Sequence, residues 1–255
     1  MNIRQLANIK IKYQRLCYTQ ILRLFVLYTI ALFLFGCGID RNIKKGGKFL
    51  AIGEYYDAAT QFKTAYQRTP AKDRTQRGQL AAKMAFCYDQ ISASQRAIAA
   101  YRNVIRYKQD NKDTHLKLAA NLMKTGAYPE AIKEYSIALD SMPDNDIAIE
   151  GLAAANKAST IKELGSYYQV KKMDKFNSRK QDYSPMLFGD QYNQLYFTST
   201  RNEAQGDEIS GITGVKPGDI FVSEKDEKGK WGIPHAIESG LNSEADEGTP
   251  AFSVD

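Results

Sequence analysis

Cysteine and histidine are scarce in this sequence, which contains three cysteines and two histidines among 255 residues. Three cysteines cannot build the disulfide framework of a small secreted domain, and we interpret Cys87 as a small core residue. The H-E-x-x-H, G-x-S-x-G and G-x-x-x-x-G-K motifs of metalloproteases, serine hydrolases and nucleotide-binding loops are also absent. The sequence therefore gives no sign of a catalytic site, a bound metal or another cofactor.

Acidic residues are missing from residues 1–36, which contain five basic residues. An apolar run over residues 24–35 has the length of the hydrophobic region of a secretory signal. Residues 34–37 then read L-F-G-C, which is similar to the lipobox of bacterial lipoproteins. That similarity implies cleavage before Cys37 and lipidation of its sulfur, and an uncleaved signal anchor is the alternative. In either case the rest of the chain is expected to leave the cytoplasm.

Beyond this leader the charges nearly balance, with 30 basic and 29 acidic residues, so a nucleic-acid partner is not implied. The charges are unevenly distributed, however. Residues 37–180 carry a net charge of +10, and residues 181–255 carry a net charge of −9. We interpret this as two domains with different solvated surfaces. The alternatives are attraction between the two halves, or an acidic partner for the basic half.

Residues 112–145 have the pattern of two helices that are joined by a tight turn and followed by a proline. Copies in the same register occur at residues 39–72 and 78–111, and residues 73–77 separate the first two copies. The best-matched positions are Ala58, Ala97 and Ala131, with Phe62, Tyr101 and Tyr135 four residues later. Three copies with a period of about 34 residues resemble tetratricopeptide (TPR) repeats.

Residues 146–164 continue the helical pattern, with apolar residues at Ile149, Leu152, Ala153 and Ile161. The pattern matches the first helix of a fourth repeat, but no second helix follows. We interpret it as a capping helix that covers the last open face of the array. Residues 37–164 are thus predicted to form an α-solenoid of TPR helix pairs, and residues 165–182 a linker.

From residue 183 onward β-forming residues dominate. Apolar segments at residues 186–188, 195–199, 219–222 and 231–237 alternate with turn sequences, as in the four antiparallel strands of a propeller blade. Residues 250–255 repeat residues 185–190 with an offset of 65. These stretches resemble the WD40-like PD40 blades of periplasmic propellers.

The predicted fold class is therefore α + β multidomain. The TPR solenoid is followed, over residues 183–255, by the first blade of an incomplete β-propeller and a stub of the second. A single blade leaves open strand edges, which invite pairing and aggregation. We accordingly interpret the chain as part of a longer protein.

The order of lipobox, three TPR repeats and PD40 blade resembles the OmpA-family periplasmic lipoproteins of Bacteroidota that are associated with type IX secretion and gliding. The resemblance implies a scaffold on the periplasmic side of the outer membrane, anchored by lipid at Cys37. It also implies peptidoglycan binding through a C-terminal OmpA-like domain that this sequence does not contain. The alternative is the anchoring and recognition part of a periplasmic hydrolase or glycan-binding protein whose active domain lies beyond Asp255.

Binding surfaces are the remaining candidates for function. Solenoids present a groove lined by the first helix of each repeat, and asparagine and lysine there can hold an extended peptide or a terminal carboxylate of a protein partner. The outward positions predicted for this groove are Asn42, Lys45, Lys83, Asn121 and Lys124. The alternative is that they are ordinary solvated residues. The acidic cluster at residues 244–247 is interpreted as a solvated loop, because calcium requires six to eight oxygen ligands in a defined geometry.

Overall fold

The computed structural model describes residues 38–165, 168–238 and 240–253, so the predicted leader and the lipobox at Cys37 lie outside the described residues. The helices are α1 (38–51), α2 (Tyr55–Arg68), α3 (Arg74–Gln90), α4 (Ser94–Arg106), α5 (Lys112–Lys124), α6 (Tyr128–Ser141) and α7 (Asp146–Leu164). The strands are β1 (Asp182–Phe188), β2 (Gln194–Ser199), β3 (Asp219–Glu224) and β4 (His235–Ala236). The predicted combination of paired helices and a small antiparallel sheet is confirmed. We call residues 38–165 the helical unit and residues 168–253 the sheet unit.

Small residues let the helices approach one another closely. The alanines at the matched repeat positions, Ala58, Ala97 and Ala131, are fully buried. Glycines serve the same purpose opposite aromatic rings, because a Cβ added at Gly151 would lie only 2.4 Å from the ring of Tyr135. The aromatic residues therefore fill the spaces that the small residues leave in the neighbouring helix.

The turn inside each helix pair contains a residue with left-handed backbone geometry at the same repeat position. The φ angles are 81° at Gly53, 54° at Ser92 and 73° at Gly126. Glycine adopts this conformation without steric cost, whereas an L-residue with a side chain does so at a cost of about 1 kcal/mol. Ser92 is therefore the strained member of the three turns.

Most of the segment that separates the first two copies, residues 73–77, is helical, because α3 begins at Arg74 and takes it as its first turn. The side chain of Asp73 caps the helix by accepting a hydrogen bond of 3.0 Å from the Gln76 amide. Arg77 then donates to the Tyr107 hydroxyl at 2.9 Å and to the Thr69 carbonyl at 2.8 Å. The segment thus ties the first repeat to the second.

Helix α7 packs against α6 through Ala148 and Ala155, which are fully buried. Ile149 and Ile161, two of the apolar positions of the predicted capping helix, are 46% and 54% exposed. The close approach of Gly151 to α6 turns the alanine side of α7 inward and leaves both isoleucines in solvent. Among the residues described, no helix has both the length and the apolar character that crossing a bilayer requires.

The sheet is a four-stranded antiparallel meander in the order β1-β2-β3-β4. Its core is small and centres on the stacked rings of Phe197 and Phe221. Strand β4 spans only two residues, although residues 231–237 were predicted to pair. Pro234 interrupts this segment because it has no amide hydrogen to donate, and Trp231 makes only an isolated bridge to Lys225.

A loop of the sheet unit, residues 205–217, contacts the beginning of α2. The amides of Tyr56 and Asp57 donate to the carbonyls of Ile212 and Gly211, each at 3.1 Å. The Tyr56 ring also lies directly against Gly214. Among the residues described, the side chain of Glu54, the N-cap residue of α2, accepts no hydrogen bond from the first turn of the helix. The loop carbonyls therefore accept from the amides of Tyr56 and Asp57, which would otherwise lack partners.

A buried ion pair fastens the start of β1 to the rest of the sheet unit. Arg201 donates from Nη2 to Asp182 Oδ1 at 2.8 Å, and the two side chains are 11% and 8% exposed. Burial alone would raise the pKa of Asp182, but hydrogen bonds from Ser199, Arg201 and Ser178 together outweigh it and hold this pKa below its usual value. The ionised pair therefore stabilises the folded sheet unit.

Replacing the strained serine by glycine should stabilise the helical unit. We expect Ser92→Gly to raise the free energy of unfolding by about 0.5 to 1 kcal/mol, measured by urea denaturation and circular dichroism at 222 nm. Ser136→Gly, in the exposed face of α6, is the control and should lower stability by a similar amount. Equal destabilisation by both changes would contradict the strain at Ser92.

Breaking the buried ion pair should destabilise the sheet unit. We expect Arg201→Met to lower its free energy of unfolding by about 3 kcal/mol at neutral pH, because the buried charge of Asp182 would lose its cationic partner and keep only the hydrogen bonds from Ser178 and Ser199. Trp231, the only tryptophan, reports this transition by fluorescence.

The loss caused by Arg201→Met should shrink as the pH falls through the folded pKa of Asp182. A group with a depressed pKa contributes stability above its unfolded pKa of about 3.9 and loses it below the folded value. Arg179→Met, at an exposed position, should change stability by less than about 0.5 kcal/mol. A loss that does not change with pH would argue against the ion pair.

Candidate functional site

Helices α3 and α5 together present a surface that combines lysines with one exposed aromatic ring. We call it the α3–α5 face. It is defined by Lys83, Phe86, Asp89, Lys117, Asn121 and Lys124. Helices α3 and α5 are the first helices of successive pairs, and the hydrogen bond from Asn121 to Asp89 joins them at this surface.

Phe86 is the apolar centre of the α3–α5 face. Its side chain is 37% exposed although it belongs to a helix whose other large apolar residues are largely covered. Tyr55 meets its ring edge-on, with 6.1 Å between ring centroids. The ammonium of Lys117 lies 5.8 Å from the ring centroid, a distance at which a cation is attracted by the π-face. The ring is thus held in place while part of it remains open to solvent.

Asp89 organises the polar part of the face. Asn121 donates from Nδ2 to Asp89 Oδ1 at 2.8 Å, and the Lys124 ammonium lies 3.6 Å from the same oxygen. The Tyr101 hydroxyl reaches Oδ2 at 3.5 Å. Burial, followed by the charge of Asp89, raises the pKa of Tyr101, which therefore stays protonated. The Asp89 carboxylate thus interacts with Asn121, Lys124 and Tyr101. Because the face has three lysines and one aspartate, its net charge is positive.

The structure changes the role of one predicted groove residue. Asn121 was expected to face outward, but its side chain is 0% exposed and binds Asp89 and the Lys117 carbonyl. That expectation is wrong, because the neighbouring α3 supplies a carboxylate that draws the amide inward. Lys83 and Lys124 are exposed, and the Lys83 ammonium lies 5.3 Å from the centroid of the Phe62 ring.

The other two predicted groove residues lie on α1. Lys45 is exposed, and its ammonium lies 5.4 Å from the ring centroid of Phe49 in the same helix. Asn42 is half-buried, and its amide nitrogen has no acceptor among the residues described. Of the five predicted residues, the structure therefore brings Asn121 and Lys124 together at Asp89, whereas Lys83 lies on α3 with its ammonium against Phe62 of α2.

Sequence reasoning missed Phe86, Asp89 and Lys117. The repeat alignment does contain a signal for one of them, because Phe86 occupies the position of Gly47 in the first repeat and Ala120 in the third. A large aromatic residue where the other copies have small ones indicates a local feature of the surface. Asp89 and Lys117 carry no comparable signal, since charged residues are common on exposed helix faces.

The remaining reactive side chains have structural surroundings. Cys87 lies in the helical core, as predicted, and burial raises the pKa of its thiol to about 11, so it stays protonated and unreactive. His115 Nδ1 lies 2.6 Å from Glu134 Oε2, which packs α5 against α6. In the part of the chain that the structure describes, no three metal-ligating side chains converge on one point.

The sequence matches no protein-family model and no curated protein. Its structure is similar to several solved helical structures. The crystal structure of MamA protein is 20% identical, with 49% of this chain and 66% of that chain covered and a TM-score of 0.42. The Arabidopsis OM64 TPR domain is 17% identical, with 47% and 94% covered and a TM-score of 0.39. The first TPR of Spaghetti (RPAP3), solved with an HSP90 peptide, is 17% identical, with 49% and 94% covered and a TM-score of 0.40.

Asn121 should behave as a structural residue. We expect Asn121→Ala to lower the free energy of unfolding of the helical unit by about 1 to 3 kcal/mol, because Asp89 loses a buried donor. Asn156→Ala is the matched control, since Asn156 is an exposed asparagine of α7 that also bonds to its own helix, and it should change stability by less than about 0.5 kcal/mol. Urea denaturation followed at 222 nm measures both. Equal effects would contradict the inward role of Asn121.

Proposed function

We propose that this chain is a non-catalytic scaffold that captures a protein partner on the α3–α5 face. The observation that carries this proposal is the half-exposed ring of Phe86, held between Tyr55 and the Lys117 ammonium. Among the exposed large apolar side chains of the described helical unit, Phe86 is the one aromatic ring, and aromatic residues are enriched at protein interfaces.

The charges of the face indicate what the partner offers. Lys83 and Lys117 are held above aromatic rings rather than by carboxylates. Lys124 shares Asp89 with Asn121 and Tyr101. A partner segment with a carboxylate for these lysines and an apolar side chain for Phe86 therefore fits the surface. The lysines supply orientation and association rate, and the ring supplies buried area.

The proposed location is the periplasmic side of the outer membrane, with a lipid anchor at Cys37. Helix α1 carries three exposed lysines, Lys44, Lys45 and Lys48, within eleven residues of that cysteine. At a rise of 1.5 Å per residue they lie about 15 Å or less along the helix from its first described residue. Basic residues this close to anionic headgroups add roughly 1 kcal/mol each to membrane binding.

We also propose that the sheet unit is the first blade of a β-propeller. Its four strands form an antiparallel meander, and the Ser184 and Thr249 hydroxyls lie 3.0 Å apart. These two residues are 65 positions apart, which is the offset of the internal repeat. The contact therefore joins the two copies of the internal repeat at corresponding positions.

The side of the sheet that is only partly covered by residues 171–177 also supports a neighbouring blade. It contains a cavity of about 600 Å³. Apolar side chains line much of it, among them Met173, Phe176, Leu187, Leu195 and Trp231. Apolar faces of this kind pack against the next sheet in propellers.

The proposed role of the scaffold is in type IX secretion or gliding. Attachment to peptidoglycan would require an OmpA-like domain in the same protein.

Reversing two exposed charges tests the binding surface. We expect Lys83→Glu with Lys124→Glu to weaken capture of the partner from native membranes by about tenfold or more, because attraction becomes repulsion at the surface. The Tm of the helical unit should stay within about 4 °C of the original value. Lys63→Glu with Lys133→Glu, two exposed lysines on α2 and α6, is the matched control. Undiminished capture by the Lys83 and Lys124 variant would refute the proposal.

A further inference from the structure

Residues 242–252 form a strap that runs back across the strands of the sheet unit. The side chain of Asn242 pairs with the backbone of Ile220 as a neighbouring strand would. Its Oδ1 accepts from the Ile220 N–H at 2.9 Å, and its Nδ2 donates to the Ile220 carbonyl at 3.0 Å. The Glu247 amide donates to the Gly218 carbonyl at 2.7 Å, and the Thr198 hydroxyl donates to the Gly248 carbonyl at 2.8 Å. The far end is held by the Phe252 ring, stacked 4.3 Å from Phe188.

Two carboxylates lie close together where the strap crosses the sheet. Asp219 belongs to β3 and Glu247 to the strap. Asp219 is 0% exposed, and its Oδ2 accepts a hydrogen bond of 2.9 Å from the Gln205 amide. Glu247 Oε1 accepts from the Ser243 hydroxyl at 2.6 Å. The other oxygen of each, Asp219 Oδ1 and Glu247 Oε2, is buried and has no donor among the residues that the structure describes. The hydrogen bond from the Glu247 amide to the Gly218 carbonyl places Glu247 next to Asp219, which follows Gly218 in the chain.

This arrangement requires a donor that two ionised carboxylates cannot provide. An ionised carboxylate only accepts hydrogen bonds, so two of them in contact would place acceptor against acceptor in a buried site. A buried acceptor without a donor costs about 1 to 3 kcal/mol, and more when it is charged. A single proton removes both problems, since one carboxyl then donates to the other.

The surrounding charges favour a proton over a cation. Lys216 already places one ammonium nearby, where it donates to the Ala204 carbonyl at 3.0 Å and lies 3.7 Å from Asp207. Asp246, the other acid of the strap at this point, accepts from the Gly218 amide at 2.6 Å and faces Tyr183. The site therefore offers few oxygens to a calcium ion, which takes six to eight, while the excess of acids disfavours two ionised groups.

We propose that Asp219 and Glu247 share one proton and that this proton clamps the strap onto the sheet, so that loss of the proton at higher pH loosens residues 242–252. Burial, followed in smaller part by the charge and contact of Glu247, raises the pKa of Asp219, against the opposing effect of the Gln205 hydrogen bond. A raised folded pKa contributes stability that is fully present below the unfolded value of about 3.9. That stability is lost as the pH rises through the folded value.

The decisive experiment is hydrogen exchange of the strap amides in the full chain, from about pH 3.5, below the unfolded pKa, to about pH 8, with correction for intrinsic rates. The amide of Glu247 is the most direct reporter. Its protection should fall with rising pH by up to about tenfold for each unit by which the folded pKa exceeds the unfolded one.

Asp219→Asn should abolish this pH dependence. The asparagine oxygen can still accept from Gln205, while its Nδ2 donates permanently to Glu247. Glu247→Gln should act in the same way from the other side and serves if Asp219→Asn does not fold. Glu244→Gln changes an exposed acid of the same strap and should leave the pH dependence as it is.

Two results would overturn the proposal. One is a pH dependence in Asp219→Asn that equals that of the unmodified chain, which would assign the titration to other groups. The other is protection of the strap at about pH 8 by millimolar calcium, reversed by a chelator and lost in Asp219→Asn, which would assign the site to a cation. Neither result depends on the α3–α5 face or on its partner.

Discussion

The closeness with which neighbouring helices approach one another determines most of this structure. A single helix pair cannot bury its apolar side, so the pairs must stack. Stacking at this distance is possible only where small residues face aromatic ones, as Gly46 faces Phe62 and Gly151 faces Tyr135. These contacts fix the rotation of each helix about its axis. They therefore also fix which residues of α3 and α5 point outward, and the α3–α5 face is a consequence of the core.

The sequence predicted the helix pairs of the helical unit from their repeat. It did not predict the side-chain contacts outside that repeat. The period placed the helix pairs because local spacing determines helix faces. It did not show that residues 74–77 are helical, because the Asp73 cap and the Arg77–Tyr107 hydrogen bond lie outside the repeat pattern. Repeat position likewise suggested that Asn121 is outward, whereas Asp89 on another helix draws it inward. Both cases involve side-chain contacts outside the repeat pattern.

The sheet unit shows the same division. Its strands were visible as β-forming segments between turns. The fourth was overestimated because the predicted strand included Pro234, which has no amide hydrogen to donate. The carboxylates of Asp219 and Glu247 were also unrecognisable as a pair. They lie 28 positions apart, and residues 244–247 were interpreted as a solvated loop. Only the burial of Asp219 distinguishes this pair from ordinary surface acids.

The contact between the two units bears on the charge difference between them. The helical unit is basic and the sheet unit acidic, yet among the described residues none of the ion pairs joins the two. Backbone hydrogen bonds to Gly211 and Ile212 and the packing of Tyr56 on Gly214 make the contact instead. Any attraction between the two halves therefore acts without direct ion pairs. At physiological ionic strength, salt largely screens exposed charges that are more than about 8 Å apart. The lysines of the α3–α5 face are consequently not neutralised by the acidic unit of their own chain, and their charge remains available for a partner.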